Sequence, residues 1–390
     1  MSLETLTEIS RFYGKNPEFV LAGGGNTSWK NEETLYVKSS GMSLADVSPD
    51  SFVKMNRKAL ARIWEKQYPP SGDERESAVL ADMMAARESG EEKKRPSVEA
   101  LLHDLLPFAF VVHLHPALVN GLTCSRQGET AMKEIFGNDA IWIPSTNPGY
   151  ILSKTVKTAT DAYSAVNGKA PAIIFLQNHG VFVGGNSVKG INAQYSEIMH
   201  RIDARIKRRP DFSGETQQAS NAGGKAGEIM QALTELAGSA VFLHDSFQGG
   251  EITSLVITRL VKDRSSFAPV SSAFTPDHIV YAGSDPLFVE AITNGETPRT
   301  PRTPRTLRDT WKNHVQKTGL KPKIVAVQGM GIFGAAQTEK AACLALELFR
   351  DAIKVSVYTE SFGGPLFMTR EQIDFINNWE VERFRSQVSV

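Results

Sequence analysis

The sequence lacks the features that mark several large classes of protein. It has 2 cysteines, Cys124 and Cys343, which are too few for a disulfide framework and suit a reducing compartment. Lysine and arginine together number 43, as do aspartate and glutamate, so no surplus of cations is available to neutralise nucleic-acid phosphates. No apolar run reaches the roughly 18 residues of a membrane span, and the first residues do not resemble a signal peptide. We therefore expect a cytoplasmic protein that binds neither nucleic acid nor membranes.

The patterns that are present predict alternating strands and helices. The chain has 390 residues, a length typical of two domains, and 41% of its residues are hydrophobic while 22% are charged. Apolar runs predict strands at 35–38, 108–115 and 171–176. Amphipathic patterns predict helices at 77–88, 97–106 and 188–205. This alternation indicates an α/β fold.

Two polar stretches interrupt these patterns. Residues 213–225 are small, polar and glycine-rich, which is typical of a linker. The linker would separate a first domain at 1–212 from a second, smaller α/β domain at 226–390. Residues 297–306 repeat Thr-Pro-Arg three times, and a proline at every third position favours an extended, exposed loop. Its basic residues could bind an anion, although the composition fits a solvated loop better.

One segment of sequence occurs in both predicted domains. Residues 173–185 and 324–336 each contain an apolar strand followed by Gln-x-x-Gly, an aliphatic residue and phenylalanine. The offset between the two segments is constant at 151 residues. This similarity predicts that the second domain is a degenerate copy of part of the first, with Met330 in the place of His179.

The second of these segments also has the pattern of a dinucleotide-binding turn. Residues 329–334 read Gly-x-Gly-x-x-Gly, and Glu360 lies downstream as a candidate ribose ligand. However, 56 residues follow Gly334, which is too few for the remaining strands of such a domain. The same residues are also the counterpart of the His179 turn. Dinucleotide binding is therefore the less favoured interpretation.

Three histidines form a candidate metal site. His113 and His115 lie two residues apart on a predicted strand, so both side chains point to the same face. His179 follows the end of another predicted strand, where α/β sheets place ligands. Three imidazoles without a fourth protein ligand are typical of catalytic zinc, because one coordination position stays open. The alternative for His113 and His115 is a hydrogen-bonded pair at the end of a strand.

Glu99 and Ser97 lie near the start of the helix that leads into the His-x-His strand. The carboxylate of Glu99 is a candidate for proton transfer, and the simpler interpretation is that it interacts with the helix dipole. Ser97 stands in the position of a helix N-cap, a role that could coexist with substrate binding.

Two turns could bind a phosphate. Residues 23–28 read Gly-Gly-Gly-Asn-Thr-Ser and offer backbone amides and short polar side chains to an anion. They do not form a Walker loop, because the Gly-Lys-Ser/Thr ending is missing. Ser39-Ser40-Gly41 forms a second turn of this kind. Each segment could equally be a plain turn.

Taken in order, these motifs resemble the class II aldolase/adducin family. They read Gly-Gly-Gly-Asn-Thr-Ser at 23–28, Lys-Ser-Ser-Gly at 38–41, Pro-Ser-Val-Glu at 96–99, His-Leu-His-Pro at 113–116 and Asn-His-Gly at 178–180. The chain is most similar to the aldolase portion of bacterial fusion proteins that join rhamnulose-1-phosphate aldolase to an alcohol dehydrogenase. The specific motifs fall between residues 15 and 210, and a weaker likeness continues through Phe-Thr-Pro-Asp-His at 274–278.

The resemblance implies a three-layer α/β domain with a central mixed sheet and zinc-dependent aldolase activity. It implies that His113, His115 and His179 hold one zinc ion per chain and that Glu99 is the catalytic acid/base. Positions matching the family's phosphate site are Gly25, Asn26, Thr27, Ser28, Ser40, Gly41 and Ser97. The implied reaction is retro-aldol cleavage of a ketose 1-phosphate of the rhamnulose or fuculose type to dihydroxyacetone phosphate and an aldehyde. We expect this small-molecule enzyme to be a homo-oligomer.

The same resemblance leaves two alternatives open, a sugar-phosphate 4-epimerase and a non-catalytic, adducin-like assembly protein. Retention of all three histidines and Glu99 speaks against the second alternative. Val98 stands where fuculose-phosphate aldolases have a second serine, so one phosphate-binding hydroxyl is missing. The identity of the sugar therefore stays open.

Overall fold

The computed structural model describes residues 3–218, 224–245, 256–290, 304–381 and 384. These residues form two compact units. The first unit extends to Ile206 and also includes Ser361–Leu366 and the described residues from Arg370 onward, whereas the second comprises Lys207–Glu360 and Phe367–Thr369. The predicted division at 212 and 226 differs from this one because the chain returns to the first unit near its end. Local composition does not reveal which core a terminal helix joins.

A mixed sheet forms the centre of the first unit. Its strands are β1 (Asn26–Lys30), β2 (Thr34–Lys38), β3 (Phe52–Asn56), β4 (Phe110–Leu114), β5 (Ala140–Ile143), β6 (Ile173–Leu176) and β7 (Gly180–Gly185). Their order is β3-β2-β1-β4-β7-β6-β5. β5 and β6 are parallel, and every other neighbouring pair is antiparallel. The predicted strands at 35–38, 108–115 and 171–176 correspond to β2, β4 and β6.

Helices cover both faces of this sheet. The helices of the first unit are α1 (Leu3–Gly14), α2 (Arg57–Glu65), α3 (Gly72–Ala85), α4 (Ala100–Leu105), α5 (Ala117–Thr123), α6 (Gly128–Phe136), α7 (Tyr150–Asn167), α8 (Val188–Asp203) and, from the end of the chain, α14 (Arg370–Asn378). Leu102 of α4 and Leu152 of α7 join Ile174 in one apolar cluster. Phe175 follows Ile174 along β6 and therefore faces the opposite side of the sheet. There its ring packs against that of Phe136 of α6, with 5.0 Å between the centroids. The result is the predicted three-layer α/β arrangement.

The second unit has a smaller mixed sheet with helices of its own. Its strands are β8 (Glu215–Gln218), β9 (Ser239–Asp245), β10 (Leu287–Val289), β11 (Ile324–Val327) and β12 (Gly331–Ala336). Its helices are α9 (Gly224–Ala237), α10 (Val256–Leu260), α11 (Arg264–Phe267), α12 (Pro304–Thr318) and α13 (Glu339–Thr359). None of the described helices combines the length and apolar character that crossing a membrane requires.

Two predictions for this unit need correction. The predicted linker 213–225 contains β8, a polar strand whose backbone pairs with β9, so composition alone did not reveal it. The Thr-Pro-Arg repeat was expected to form an extended loop, but Pro304 opens α12, a position where proline is tolerated because its missing N–H has no partner in the helix. The preceding part of the repeat lies outside the described residues.

The second sheet repeats five strands of the first. Its order, β10-β11-β12-β9-β8, matches β5-β6-β7-β4-β1, including one parallel pair followed by antiparallel pairs. Ile173 pairs with Val183 and Ile324 pairs with Gly334, so the register keeps the offset of 151 residues found in the sequence.

This arrangement also decides the interpretation of Gly329–Gly334. In a dinucleotide-binding turn, these glycines would join a strand to the start of a helix. Here they join β11 to the antiparallel strand β12. The segment therefore forms a hairpin, and the dinucleotide interpretation is dropped.

Candidate metal centre

Three imidazoles converge where the central strands of the first sheet end. His113 lies on β4, His115 follows the last residue of β4, and His179 lies in the turn between β6 and β7. The Nε2 atom of His113 lies 2.8 Å from Nε2 of His115 and 3.4 Å from Nε2 of His179. One nitrogen from each residue lies within 4.8 Å of the other two. The sequence prediction that these three residues lie together is therefore met, although His115 stands just beyond the strand.

The orientation of His113 is set by β7, the neighbouring strand. Its Nδ1 lies 3.1 Å from the carbonyl oxygen of Val181, to which a protonated Nδ1 donates. Its ring stacks on Phe182, the residue opposite it in the β4–β7 register, with 4.0 Å between ring centroids. Donation from Nδ1 leaves Nε2 with a lone pair directed at the cluster, the form that a metal ligand requires.

The turn that carries His179 depends on its two flanking residues. Asn178 has a φ of 58°, a left-handed conformation that asparagine tolerates better than most residues. A Cβ on Gly180 would lie 2.5 Å from the carbonyl oxygen of Leu114 and 2.7 Å from the ring of His115. Glycine is therefore required for β7 to approach His115 so closely. These contacts explain the Asn-His-Gly pattern.

Glu99 faces the histidines rather than its helix. It is the N-cap residue of α4, yet its side chain accepts no capping hydrogen bond. Oε2 lies 3.5 Å from Nε2 of His113, and Oε1 lies 3.7 Å from Nε2 of His179. Both separations exceed a hydrogen bond, and Oε1 is buried without a hydrogen-bond partner among the described residues. The geometry thus argues against a purely dipole-related role for this carboxylate.

These observations fit a bound divalent metal ion. Imidazole nitrogens are ligands that zinc prefers, and three of them leave a coordination position open. His113 has 0% relative exposure and His115 has 9%, whereas the side chain of His179 is 14% exposed. The His179 side of the cluster is therefore the one more accessible to a small molecule.

The segments that hold most of the predicted phosphate ligands are joined to one another. Ser40 N–H donates to Arg95 O at 2.8 Å, and Ser97 N–H donates to Lys38 O at 3.0 Å. Gly41 has a φ of 84°, and Gly25 has a φ of 62° at a position where a Cβ would lie 2.8 Å from His113 O. These contacts join the two turns and the Ser97 segment, and Gly25 lies against His113.

Ser97 is not the N-cap that the sequence suggested, because α4 begins three residues later, at Ala100. Its hydroxyl instead accepts from the N–H of Glu99 at 3.2 Å. Val98, for which the family resemblance implies a serine in fuculose-phosphate aldolases, lines a small apolar cavity together with Val79 and Leu101.

The structure gives Thr27 and Ser28 other partners. Both residues have 0% relative exposure. The Thr27 hydroxyl forms a 2.6 Å hydrogen bond with Ser10 of α1, and the Ser28 hydroxyl forms a 2.7 Å hydrogen bond with Nδ1 of His103 on α4. We therefore remove these two side chains from the predicted phosphate set. Asn26 remains, with its side chain between Glu99 and His103.

Sequence reasoning missed two residues of this region, Lys38 and His103. Lys38 is 3% exposed, and its ammonium group donates to the carbonyl oxygens of Gly23 and Met42, which lie in the two glycine-containing turns. It therefore places a positive charge between these turns. His103 follows Glu99 by four residues, and that helical spacing was the signal that could have revealed it.

The described part of the second unit has no counterpart of this three-histidine set. Phe333 corresponds to Phe182, and its partner across the sheet is Phe242, which therefore takes the place of His113. The rings of Phe242 and Phe333 stack with 4.4 Å between their centroids, just as the rings of His113 and Phe182 stack in the first unit. His244 retains the position of His115, and Met330 replaces His179. The described residues contain one cluster suited to a metal, and it lies in the first unit.

We predict that the second unit binds no zinc and has no activity of its own. Thioether sulfur is a poor ligand for zinc compared with imidazole, so His244 and Met330 cannot replace the three-histidine set. The full chain carrying His244→Ala should keep about one zinc per chain, the stoichiometry of a single three-ligand site. Metal analysis of the purified variant tests this. Loss of zinc from His244→Ala, or two zinc ions in the wild type, would show that the copy still binds metal.

A buried lysine near this site predicts a pH dependence of stability. Lys30 on β1 donates from Nζ to the backbone carbonyl of His103, and burial lowers the pKa of its ammonium group to about 7 from 10.5. Between these two values the unfolded chain keeps the proton that the folded chain releases. The contribution of Lys30 to the free energy of unfolding therefore rises with pH from about 7 to about 10.

Denaturant unfolding of the wild type and of Lys30→Met across this pH range measures that contribution. The wild type should gain stability relative to the variant as the pH rises. A difference between the two proteins that does not change with pH would contradict the assignment.

Comparison with known proteins identifies the family. A sequence model described as the class II aldolase and adducin N-terminal domain matches residues 4–200, about half of the chain. The matched region contains His113, His115, His179 and Glu99. The chain therefore belongs to the class II aldolase and adducin family.

The individual proteins that this chain resembles have low sequence identity to it. An uncharacterized oxidoreductase, YuxG, of Bacillus subtilis (strain 168) is 22% identical to this chain. The alignment covers 98% of this chain but only 58% of the length of YuxG. The N-terminal class II aldolase domain of a conserved Thermoplasma acidophilum protein is 26% identical, covering 52% of this chain and 93% of that domain with a TM-score of 0.43. L-fuculose-1-phosphate aldolase from Thermus thermophilus is 13% identical, with a TM-score of 0.33. That match covers 52% of this chain and 91% of the aldolase.

Proposed function

We propose that this protein is a zinc-dependent aldolase that cleaves a ketose 1-phosphate, of the rhamnulose or fuculose type, to dihydroxyacetone phosphate and an aldehyde. The observation that carries the proposal is the position of Glu99, whose two oxygens lie 3.5 Å and 3.7 Å from imidazole nitrogens of the three-histidine cluster. A carboxylate beside an open metal site is the arrangement needed to move a proton next to a Lewis acid. Membership of the class II aldolase family, whose aldolases are generally metal-dependent, agrees with this.

His113, His115 and His179 would hold the metal ion. When bound, a zinc ion supplies Lewis acidity toward the oxygens of a hydroxy-ketone and lowers the energy of developing negative charge. The protein keeps the three imidazoles in their ligand form, in part through the Val181 carbonyl bonded to His113.

The phosphate end of the substrate would be bound by the joined segments beside the histidines. Backbone amides around Gly25 and Gly41, the hydroxyls of Ser40 and Ser97, and one hydrogen of the Asn26 amide are the donors we assign to it. The ammonium group of Lys38, buried between the two turns, adds a positive charge. Binding at this end holds the reacting carbons at a fixed distance from Glu99, which lowers the entropic part of the barrier.

Glu99 would act as the general acid and base of the reaction. Cleavage requires loss of the proton from the hydroxyl on the fourth carbon, so that the bond between the third and fourth carbons can break. The bonding electrons remain with the three-carbon fragment, whose third carbon then takes up a proton. Oε1 of Glu99 faces the cluster and lacks a hydrogen-bond partner among the described residues, so this oxygen is available to exchange that proton.

The proposal includes a cytoplasmic location and a homo-oligomeric state. Neither Cys124 nor Cys343 is in a disulfide bond, which suits a reducing compartment. Sedimentation of the purified chain would give the number of subunits.

The experiment is a screen of ketose 1-phosphates with the full chain, with and without a metal chelator. Release of dihydroxyacetone phosphate is followed by its coupled enzymatic reduction, and the sugar is recovered to check for epimers. We expect release of dihydroxyacetone phosphate from at least one deoxyketose 1-phosphate and its loss on chelation. An epimer formed without aldehyde would identify a 4-epimerase instead, and no reaction by the zinc-loaded chain would favour an assembly protein.

A further inference from the structure

The side chain of Asn26 bridges Glu99 and a buried histidine that the proposed reaction does not use. Nδ2 of Asn26 donates to Oε2 of Glu99 at 2.6 Å. On the other side, Oδ1 of Asn26 forms a short hydrogen bond with Nε2 of His103. Asn26 lies on β1 directly opposite His113 of β4, so the bridge adjoins the cluster of imidazoles.

The hydrogen atoms of this bridge have one consistent arrangement. An ionised carboxylate only accepts, so the NH2 group of Asn26 must face Glu99 and its carbonyl oxygen must face His103. His103 must then carry its proton on Nε2 in order to donate to that oxygen. Its Nδ1 is left to accept from the hydroxyl of Ser28, at 2.7 Å. Every polar atom of the imidazole is thereby used.

The surroundings of His103 hold its ring in place. His103 has 0% relative exposure, and its ring contacts Phe182 edge-to-face with 5.5 Å between centroids. Lys30 donates to its backbone carbonyl. Burial and the nearby cations Lys30 and Lys38 move the pKa of His103 well below its ordinary value, which agrees with a neutral ring.

We infer that His103 is a positioning residue that fixes the Asn26 amide and thereby holds Oε2 of Glu99, leaving Oε1 directed at the imidazole cluster. Without the donor on His103, the Asn26 amide can rotate, and Glu99 loses the contact that defines its orientation. The consequence for catalysis rests on the proposed function, whereas the consequence for the Asn26 amide does not. His103 acts on Glu99 through Asn26, so its effect on the reaction is indirect.

Three variants separate positioning from general stability. His103→Met removes both ring hydrogen bonds, His103→Gln keeps an N–H donor toward Asn26, and Leu102→Ala is a matched control for loss of packing in the same helix, since Leu102 is 1% exposed. With the substrate found in the screen, His103→Met should lower kcat about 10- to 100-fold with zinc content unchanged, the usual effect of losing such a supporting hydrogen bond. His103→Gln should recover most of that loss. A His103→Met protein whose kcat falls no further than that of Leu102→Ala would overturn the inference.

Nuclear magnetic resonance of the full chain, labelled in asparagine and histidine side chains, tests the bridge without any substrate. We expect His103 to be neutral with its proton on Nε2, and an Asn26 amide resonance that shifts in both Glu99→Gln and His103→Met but not in Leu102→Ala. A proton on Nδ1 of His103, or an Asn26 resonance unchanged in His103→Met, contradicts the inference. If no sugar phosphate is cleaved, the proposed function fails while these spectra still decide on the bridge. If His103→Met does not fold, the wild-type tautomer and His103→Gln decide.

Discussion

Replacing His113 with alanine is expected to yield a folded protein that has lost its zinc and its turnover. His113 is central to the cluster, because its Nε2 lies 2.8 Å from His115 and 3.4 Å from His179, and two imidazoles alone hold zinc weakly. Loss of a Lewis acid that contributes several kcal/mol to the transition state should lower kcat by roughly 10³-fold or more. The fold should persist, because the apolar clusters of the first unit are built from other residues.

Elemental analysis of the purified variant gives its zinc content, and circular dichroism reports on its fold. His200→Ala is the matched control, because His200 is an exposed histidine on α8 of the same unit. The control should keep about one zinc per chain and normal turnover, as expected for a histidine outside the three-ligand site. Full zinc content in His113→Ala would contradict the assignment of the ligands.

Replacing Glu99 with glutamine should leave zinc bound and lower kcat by roughly 10²-fold or more, the usual scale for loss of a general acid or base. Glutamine keeps the size of the side chain and an oxygen that can accept from Asn26. It cannot take up and return a proton. The variant therefore removes proton transfer while disturbing the surrounding contacts little, and steady-state kinetics together with zinc analysis measure both effects.

Glu76→Gln is a matched control for this variant. Glu76 is a second buried glutamate of the first unit, 7% exposed, and its Oε2 accepts from the N–H of Tyr150 at 2.9 Å, which ties it to the start of α7. Its replacement should affect stability and leave kcat unchanged. Near-normal turnover in Glu99→Gln would return Glu99 to the role of a helix-dipole residue.

The parts of the structure that the sequence predicts best are those set by local patterns. The apolar runs of β4 and β6 mark strands buried under helices, and the His-x-His and Asn-His-Gly motifs place three histidines at the ends of neighbouring strands. The constant offset of 151 residues predicts that the second unit copies part of the first, and the pairing of β11 with β12 keeps that offset. Such features depend on residues close together in the chain.

Features set by tertiary contacts were less accessible. Thr27 and Ser28 resemble phosphate ligands in sequence, but alternation along β1 turns Thr27 toward α1 and Ser28 toward His103. The polar strand β8 is formed by pairing with β9 and has no apolar pattern of its own. The return of α14 to the first unit depends on contacts such as the 2.8 Å hydrogen bond from Gln372 to Ser145, which join residues distant in sequence.

We propose that the cluster of His113, His115 and His179 holds the metal for the cleavage and that Glu99 transfers the proton. The most direct test strips the wild-type chain of metal and adds zinc back in steps while release of dihydroxyacetone phosphate from the best ketose 1-phosphate is measured. We expect negligible activity without metal and a linear rise that ends at about one zinc per chain, as a single catalytic site requires. Full activity of the metal-free chain, or a rise that continues to two zinc ions per chain, would rule out a single metal-dependent site.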